Sequence, residues 1–137
     1  MRFYKLLPHT ADTRLWVEAD SVEELFRGAM KGMADIIKKG ACESKIETER
    51  RTIKIKSSDQ TELLIDFLSE VLTLSQEEGL VFCRVKFLKL TEKELIADIF
   101  GRDADGFDED IKAVTYHEAE IKKNEKENWE TVIVFDI

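Results

Sequence analysis

The sequence predicts a two-layer, single-domain α+β protein in which two amphipathic helices pack on a largely antiparallel sheet. Two segments carry apolar residues at helical spacing behind helix-capping signals, and most other segments alternate or cluster apolar residues as strands do. The length of 137 residues fits one domain that buries roughly 68% of its unfolded surface. The predicted order is β-β-α-β-α-β-β-β-β, and the domain covers residues 1–137.

The first half of the chain predicts two strands, a helix and a third strand. Residues 2–7 and 14–19 predict short strands around a polar turn at residues 8–12. Ser21 predicts a helix N-cap, and Glu24 completes a capping box. The apolar stripe that follows predicts an amphipathic helix over residues 22–38. Alternation of Ile and Lys at the end of residues 47–56 predicts a half-buried strand.

The second half predicts a more apolar helix followed by strands. Asp59 and Glu62 predict its N-terminal cap, and Gly79 predicts its end. Strands are expected over residues 80–90, 95–100, 111–122 and 129–137, with a polar turn at 124–128 before the last one. The continuous apolar run at residues 132–135 is typical of a central strand that is buried on both faces.

Composition restricts the classes of function. A net charge of −8 argues against direct binding of a phosphate backbone, so RNA is expected to be reached only indirectly, through a partner. No apolar run approaches the roughly 18 residues of a membrane span, and no signal peptide is predicted, so a cytoplasmic location without membrane contact is expected. Cys42 and Cys83 form no CxxC pair and are predicted to be free thiols in a reducing compartment.

Common catalytic motifs are missing from the sequence. It contains no glycine-rich phosphate loop and no GxSxG elbow, and its two histidines lack the paired spacing of a zinc site. The acidic stretch at residues 103–110 has Gly101 and Lys112 where an EF-hand calcium loop needs carboxylates. A solvated acidic loop is the favoured interpretation of that stretch, with a weak ion site as the alternative.

A possible oxygen-rich site involves the first turn and the last strand. Asp12 lies in the turn, and Asp136 ends the apolar strand and is followed by Ile137, with its main-chain carbonyl and a terminal carboxylate. If the turn lies beside the strand end, these oxygens suit a hard cation such as Ca²⁺ or Mg²⁺. Spacing alone does not join Asp12 to Asp136, and taken alone it favours separate capping or surface roles.

Six blocks, in order along nearly the whole chain, resemble the archease family. The first is His9-Thr10-Ala11-Asp12, which is similar to the family's opening motif. The others are similar to its two helices, an acidic turn, a Lys-Ala-Val-Thr-Tyr block and a terminal strand; they lie at residues 21–26, 63–70, 78–82, 111–117 and 132–137. Each block is weak alone, but the ordered set is specific. The sequence departs from many members at Thr13-Arg14, where a small apolar run is usual.

The resemblance implies a protein that is not itself an enzyme. Family members are partners of RtcB-type RNA ligases in tRNA splicing, and promote GTP-dependent guanylylation of the ligase and its multiple turnover. The resemblance also implies a divalent metal bound by Asp12, Asp136 and Ile137. Ca²⁺ is the expected ion, with Mg²⁺ or Mn²⁺ as alternatives.

Three further residues match functional positions of the family. Glu78 is expected to serve as a further ligand, a metal-delivery group or a contact to the ligase, with a solvated helix end as the alternative. Lys112 is expected to balance the acidic cluster or reach a phosphate, with an exposed strand lysine as the alternative. His9 either orients Asp12 or caps the turn.

Two other functions are compatible with these residues. A small metal-dependent phosphohydrolase would use Asp12, Asp136 and Glu78 as metal ligands, with Lys112 holding a phosphate. A general chaperone-like interaction module would protect unrelated clients from aggregation and would not depend on Asp136.

Overall fold

The computed structural model describes residues 1–7 and 12–137 and has the predicted α+β architecture. The first part of the chain forms β1 (Arg2–Leu7), β2 (Asp12–Ala19), α1 (Val22–Ile37), a 3₁₀ turn (Ala41–Glu43) and β3 (Glu49–Lys56). The second part forms α2 (Gln60–Glu78), β4 (Leu80–Leu90), β5 (Glu94–Asp103), β6 (Ala113–Thr115), β7 (Lys122–Lys123) and β8 (Trp129–Asp136).

Both helices begin at the predicted caps. The Ser21 hydroxyl accepts a hydrogen bond from the Glu24 N–H at 3.1 Å, and the Asp59 carboxylate accepts one from the Glu62 N–H at 2.9 Å. Gly79 ends α2 in a left-handed conformation, with φ of 68°. Over residues 1–7 and 12–137, neither helix is long and apolar enough to cross a membrane.

The strands form two antiparallel sheets instead of the single sheet that was predicted. The first sheet has the order β1-β2-β8-β6, and β7 also pairs with β8. The second sheet has the order β3-β5-β4. Helix α1 packs against β1 and β2 of the first sheet and β4 of the second, so the core is shared. Phe26, Phe67 and Phe87 join α1, α2 and β4, with ring centroids 5.9–6.2 Å apart.

The prediction of one strand over residues 111–122 is wrong. Only β6 and β7 are extended there, because the chain turns between them: the Ala119 N–H donates to the Tyr116 carbonyl, and Glu118 has a positive φ of 63°. The predicted turn at residues 8–12 also ends earlier than expected, since Asp12 is already the first residue of β2. Asp12 is therefore positioned by strand pairing.

The prediction of free thiols is also wrong, because Cys42 and Cys83 form a disulfide. Their Cα atoms lie 5.4 Å apart, although 41 positions separate them in sequence. Cys83 lies at an irregularity in the β4–β5 pairing, next to the 3₁₀ turn that carries Cys42, and long-range packing of this kind leaves no spacing signal in the sequence. Closing a loop of this length stabilises the folded chain by up to about 4 kcal/mol in the chain-entropy description.

Candidate functional site

Asp12 and Asp136 face each other across the β2–β8 pair. Their Cα atoms are register partners at the end of an antiparallel ladder that runs from this pair to Ala19 and Trp129. Residues directly opposite each other in such a ladder have Cβ atoms about 4.5–5.5 Å apart and share one face of the sheet. The two carboxylates that sequence spacing could not join are therefore neighbours.

Core packing fixes this register. Leu15 and Val17 of β2 and Ile133 and Phe135 of β8 are fully buried and share one face of the sheet, because alternate residues of a strand lie on the same side. A slip of one residue would move these four side chains to the solvent face, which makes the alternative pairing costly. Asp12 and Asp136 sit at alternate positions and therefore share the face opposite the core. Asp136 is exposed, and Asp12 is half-buried.

Lys112 and Ile137 lie beside the carboxylate pair. The Lys112 N–H donates to the Asp136 carbonyl at 2.7 Å, and Ala113 is a register partner of Asp136 in β6. Gln76 of α2 fixes this segment by donating to the Ile111 carbonyl at 2.6 Å. Lys112 itself is exposed, and Ile137 continues β8 by one half-buried residue. Four of the six predicted site residues, Asp12, Lys112, Asp136 and Ile137, thus lie in or next to β2, β6 and β8.

Glu78 is engaged elsewhere. It is the last residue of α2, and both of its carboxylate oxygens accept hydrogen bonds from Arg51 Nε of β3 at 3.1 Å. The Arg51 guanidinium lowers the pKa of Glu78 below its ordinary range. Its carboxylate is therefore held against the second sheet instead of joining the Asp12–Asp136 pair. His9, the sixth predicted residue, lies outside the described residues.

The Asp12–Asp136 pair offers a metal ion only a few ligand atoms, and all of them are oxygens. Among residues 1–7 and 12–137, no three His, Cys, Asp or Glu side chains are grouped so that they could hold a metal ion. Asp12 and Asp136 therefore supply two carboxylates, and the main-chain oxygen of Ile137 can supply a third kind of donor. Oxygen ligands of this type fit Ca²⁺ or Mg²⁺ better than zinc, and such ions complete their coordination with water.

A second carboxylate pair lies at the opposite end of the same two strands, and sequence reasoning missed it. Glu18 and Glu130 are also register partners, but Glu18 is only 4% exposed. The Asn124 amide donates to both carboxylates, Asn128 donates to Glu18 at 3.3 Å, and the Trp16 indole donates to Glu130 at 3.2 Å. The Asn124 hydrogen bond lowers the pKa of Glu18, although burial acts in the opposite direction. The two asparagines at either end of the 124–128 turn were the available signal.

The acidic stretch at residues 103–110 has a structural role. The Asp108 N–H donates to the Ile37 carbonyl at 2.8 Å, and its carboxylate accepts from the Lys39 N–H at 2.9 Å. Asp105 donates its N–H to the Asp103 carboxylate at 2.8 Å within the turn. These contacts attach the loop to the C-terminal end of α1, where otherwise unpaired backbone groups need partners.

Sequence comparison places the whole chain in one family. Residues 4–137 match the profile of the Archease protein family (MTH1598/TM1083). Archease from Pyrococcus abyssi is 34% identical, with complete coverage of both chains. Archease from Methanosarcina mazei is 32% identical over 98% of this chain and 95% of that protein.

Solved structures have the same fold. The solution structure of Methanobacterium thermoautotrophicum protein 1598 superposes with a TM-score of 0.78 at 25% identity and covers 98% of each chain. The crystal structure of "an archease, possible chaperone" from Thermotoga maritima gives a TM-score of 0.66 at 22% identity, with 97% of this chain and 96% of that chain covered. Because the family profile, the relatives and the fold agree over nearly the full length, the chain belongs to the archease family.

Proposed function

We propose that this protein is a metal-binding accessory protein that activates an RtcB-type RNA ligase in tRNA splicing, by promoting its GTP-dependent guanylylation and its turnover. The observation that carries the proposal is the register pairing of Asp12 with Asp136 in a chain of the archease family. The pairing supplies the geometry that the first-turn aspartate and the terminal strand need if they are to act on one ion.

The proposed metal site rests on charge as well as proximity. Like charges directly opposite each other on an antiparallel pair destabilise it. A divalent cation between Asp12 and Asp136 would turn that repulsion into attraction. Ca²⁺ is proposed because it tolerates irregular coordination by carboxylate and main-chain oxygens, whereas Mg²⁺ demands near-octahedral geometry and gives up its water ligands reluctantly. Ile137 is proposed as the third protein ligand.

Lys112 is proposed to act on the ligase or its substrate. Its backbone N–H donates to the Asp136 carbonyl and its side chain is exposed, so a partner that binds at the carboxylate pair can also contact Lys112. A cation beside a metal-carboxylate cluster can pair with a phosphate or a carboxylate of the partner. Glu78 is proposed to contact the ligase only after its ion pair with Arg51 opens, so we expect it to matter less than Lys112.

The test is a ligation assay with the cognate ligase, GTP and RNA halves, with and without this protein. Wild-type protein should raise the number of turnovers and the fraction of guanylylated ligase. Asp12→Asn and Asp136→Asn should each lose the stimulation, whereas Glu125→Gln, which removes one charge from an exposed turn, should retain it. Circular dichroism would confirm that all variants are folded.

Other outcomes would identify a different function. Phosphate release from model esters by this protein alone with Mg²⁺ or Mn²⁺, lost in Asp136→Asn, would indicate a phosphohydrolase. Equal protection of unrelated aggregating proteins by wild type and Asp136→Asn would favour a chaperone-like module. Absence of any stimulation by wild-type protein in the matched ligation assay would refute the proposed activation.

A further inference from the structure

The solvent face of the second sheet carries most of its charge as cations. Strand pairing aligns Arg50, Thr52, Lys54 and Lys56 of β3 with the outward residues of β5, because successive side chains alternate between faces. Arg84, Lys86 and Lys89 of β4 align with the same β5 residues from the other side. We call this surface the basic sheet face; its cations are Arg50, Lys54, Lys56, Arg84, Lys86 and Lys89, and all six are exposed.

Three acidic residues accompany the six cations of this face. Glu94 pairs with Lys56 at 3.7 Å and with Lys89, and Glu47 pairs with Arg84 at 2.8 Å. The Asp98 carboxylate accepts a hydrogen bond from the Thr52 hydroxyl at 2.6 Å. Within the described part of the chain, no ion pair engages three of the cations, Arg50, Lys54 and Lys86. The chain as a whole has a net charge of −8, whereas cations outnumber carboxylates on this face.

Apolar and planar groups lie on the central strand β5 and on β4. Phe100 and Ile96 of β5 are half-buried, and Leu88 of β4 is 55% exposed. The Arg84 guanidinium lies 3.9 Å from the centroid of the Phe100 ring. The Glu47 carboxylate accepts hydrogen bonds from Arg84 Nε at 2.9 Å and from Arg84 Nη2 at 2.8 Å. The Arg84 side chain remains 54% exposed. A flat, oriented guanidinium plane is therefore presented to solvent.

We propose that the basic sheet face binds single-stranded RNA directly. Phosphates would contact Lys54 and Lys86, which flank β5 on opposite sides, two residues apart along it and about 12 Å apart by strand geometry. A base would stack on the Arg84 guanidinium, as unpaired bases do on arginine and aromatic side chains. This inference goes beyond ligase activation, in which RNA is reached only through the partner.

The planar stack favours RNA over an acidic protein. The Nε–Nη2 edge of Arg84, which could chelate a partner's carboxylate, already holds Glu47, so an acidic partner gains little from a guanidinium over an ammonium at this position. RNA gains additionally from the plane of the guanidinium, since each base has a π-face. Replacing Arg84 by Lys keeps the charge and removes the plane, which separates the two kinds of ligand.

The experiment is fluorescence anisotropy with a labelled oligouridine of about 12 nucleotides, near the upper site size of single-strand-binding sheets. Wild-type protein should bind with a dissociation constant on the order of 10⁻⁴–10⁻⁶ M. The double variant Lys54→Ala/Lys86→Ala should bind about tenfold more weakly and lower the salt slope by about 1.4, for two lost phosphate contacts on a single strand. Lys122→Ala/Lys126→Ala removes the same charge from β7 and the turn that follows it, and should bind like wild type.

Arg84→Lys should weaken oligouridine binding about fivefold, which is the loss expected for one stacked base. Labelled polyglutamate of equal charge serves as the comparison ligand and should bind more weakly than the RNA. The inference is overturned if wild type does not bind RNA at low salt, if both double variants lose affinity equally, or if polyglutamate binds more tightly and is indifferent to Arg84→Lys. The assay contains no ligase, so its failure and the failure of ligase activation are independent results.

Discussion

The two ends of the β2–β8 pair differ in the hydrogen-bond donors that surround their facing carboxylates. Each end places two carboxylates directly opposite each other, Glu18 with Glu130 and Asp12 with Asp136. At the glutamate end, the side-chain amide of Asn124 bridges both groups, and the indole of Trp16 adds a further donor. At the aspartate end, the contact described at Asp136 is to its main-chain carbonyl, from Lys112.

We infer from this difference that the glutamate pair is structural, whereas the aspartate end exposes the carboxylate of Asp136 to an ion. A carboxylate with neutral donors around it in a buried position is already satisfied, and adding a cation would displace existing hydrogen bonds. The exposed carboxylate of Asp136 keeps its lone pairs accessible to an ion. We therefore expect the glutamate end to govern stability and the aspartate end to govern the response to metal.

Asn124→Ala should have the largest effect on stability. The variant removes the amide that donates to both Glu18 and Glu130, so two facing carboxylates lose their shared donor. We expect the Tm in differential scanning calorimetry to fall by roughly 5 °C or more, with or without Ca²⁺. Glu125→Ala in the same turn is the control and should leave the Tm nearly unchanged. A Tm equal to wild type would show that the glutamate end does not govern stability.

Glu18 should contribute part of the pH dependence of stability, with an effect smaller than that of Asn124→Ala. The folded-state pKa of Glu18 lies below the ordinary 4.5, so its ionised form stabilises the fold above that pH. This contribution is lost as the pH falls from about 4.5 through the lower folded pKa. In Glu18→Gln, which cannot titrate at this position, the Tm should therefore fall less than in wild type between pH 6 and pH 3, by at most a few degrees. Parallel Tm–pH curves for the two proteins would contradict this assignment.

Asp136→Asn should have the smallest effect on stability, with the opposite sign. In the presence of chelator, the substitution removes one of two facing negative charges, and we expect a gain of about 0.5 kcal/mol in the free energy of unfolding. Urea denaturation measures this gain, and Glu125→Gln in the exposed turn, which removes one negative charge elsewhere, is the control. A clear loss of stability in Asp136→Asn would mean that this carboxylate is structural, like Glu18.

The sequence contains the local features of the fold and few of its long-range ones. Ser21 and Asp59 marked the helix starts correctly, because capping depends on residues within one turn of each other. The division into two sheets and the Cys42–Cys83 disulfide depend on packing between distant segments, so neither follows from spacing.

The candidate site was predictable only in part. Asp12 and Asp136 came from family likeness, and the structure adds the register that makes them neighbours. The Glu18–Asn124 contact spans more than a hundred positions, so the two asparagines of the 124–128 turn indicate a donor group but not the carboxylate that it meets. The net charge of −8 argued against direct binding of a phosphate backbone. A sum over the whole chain does not show where cations cluster, as they do on the basic sheet face.

The most direct test of the proposed site is isothermal titration calorimetry with Ca²⁺ on the metal-free protein. Wild type and Glu18→Gln should bind one ion with equal affinity, and Asp12→Asn and Asp136→Asn should each bind at least about tenfold more weakly. Undiminished binding in both aspartate variants, or loss of binding in Glu18→Gln alone, would contradict the assignment of the metal site to the aspartate end.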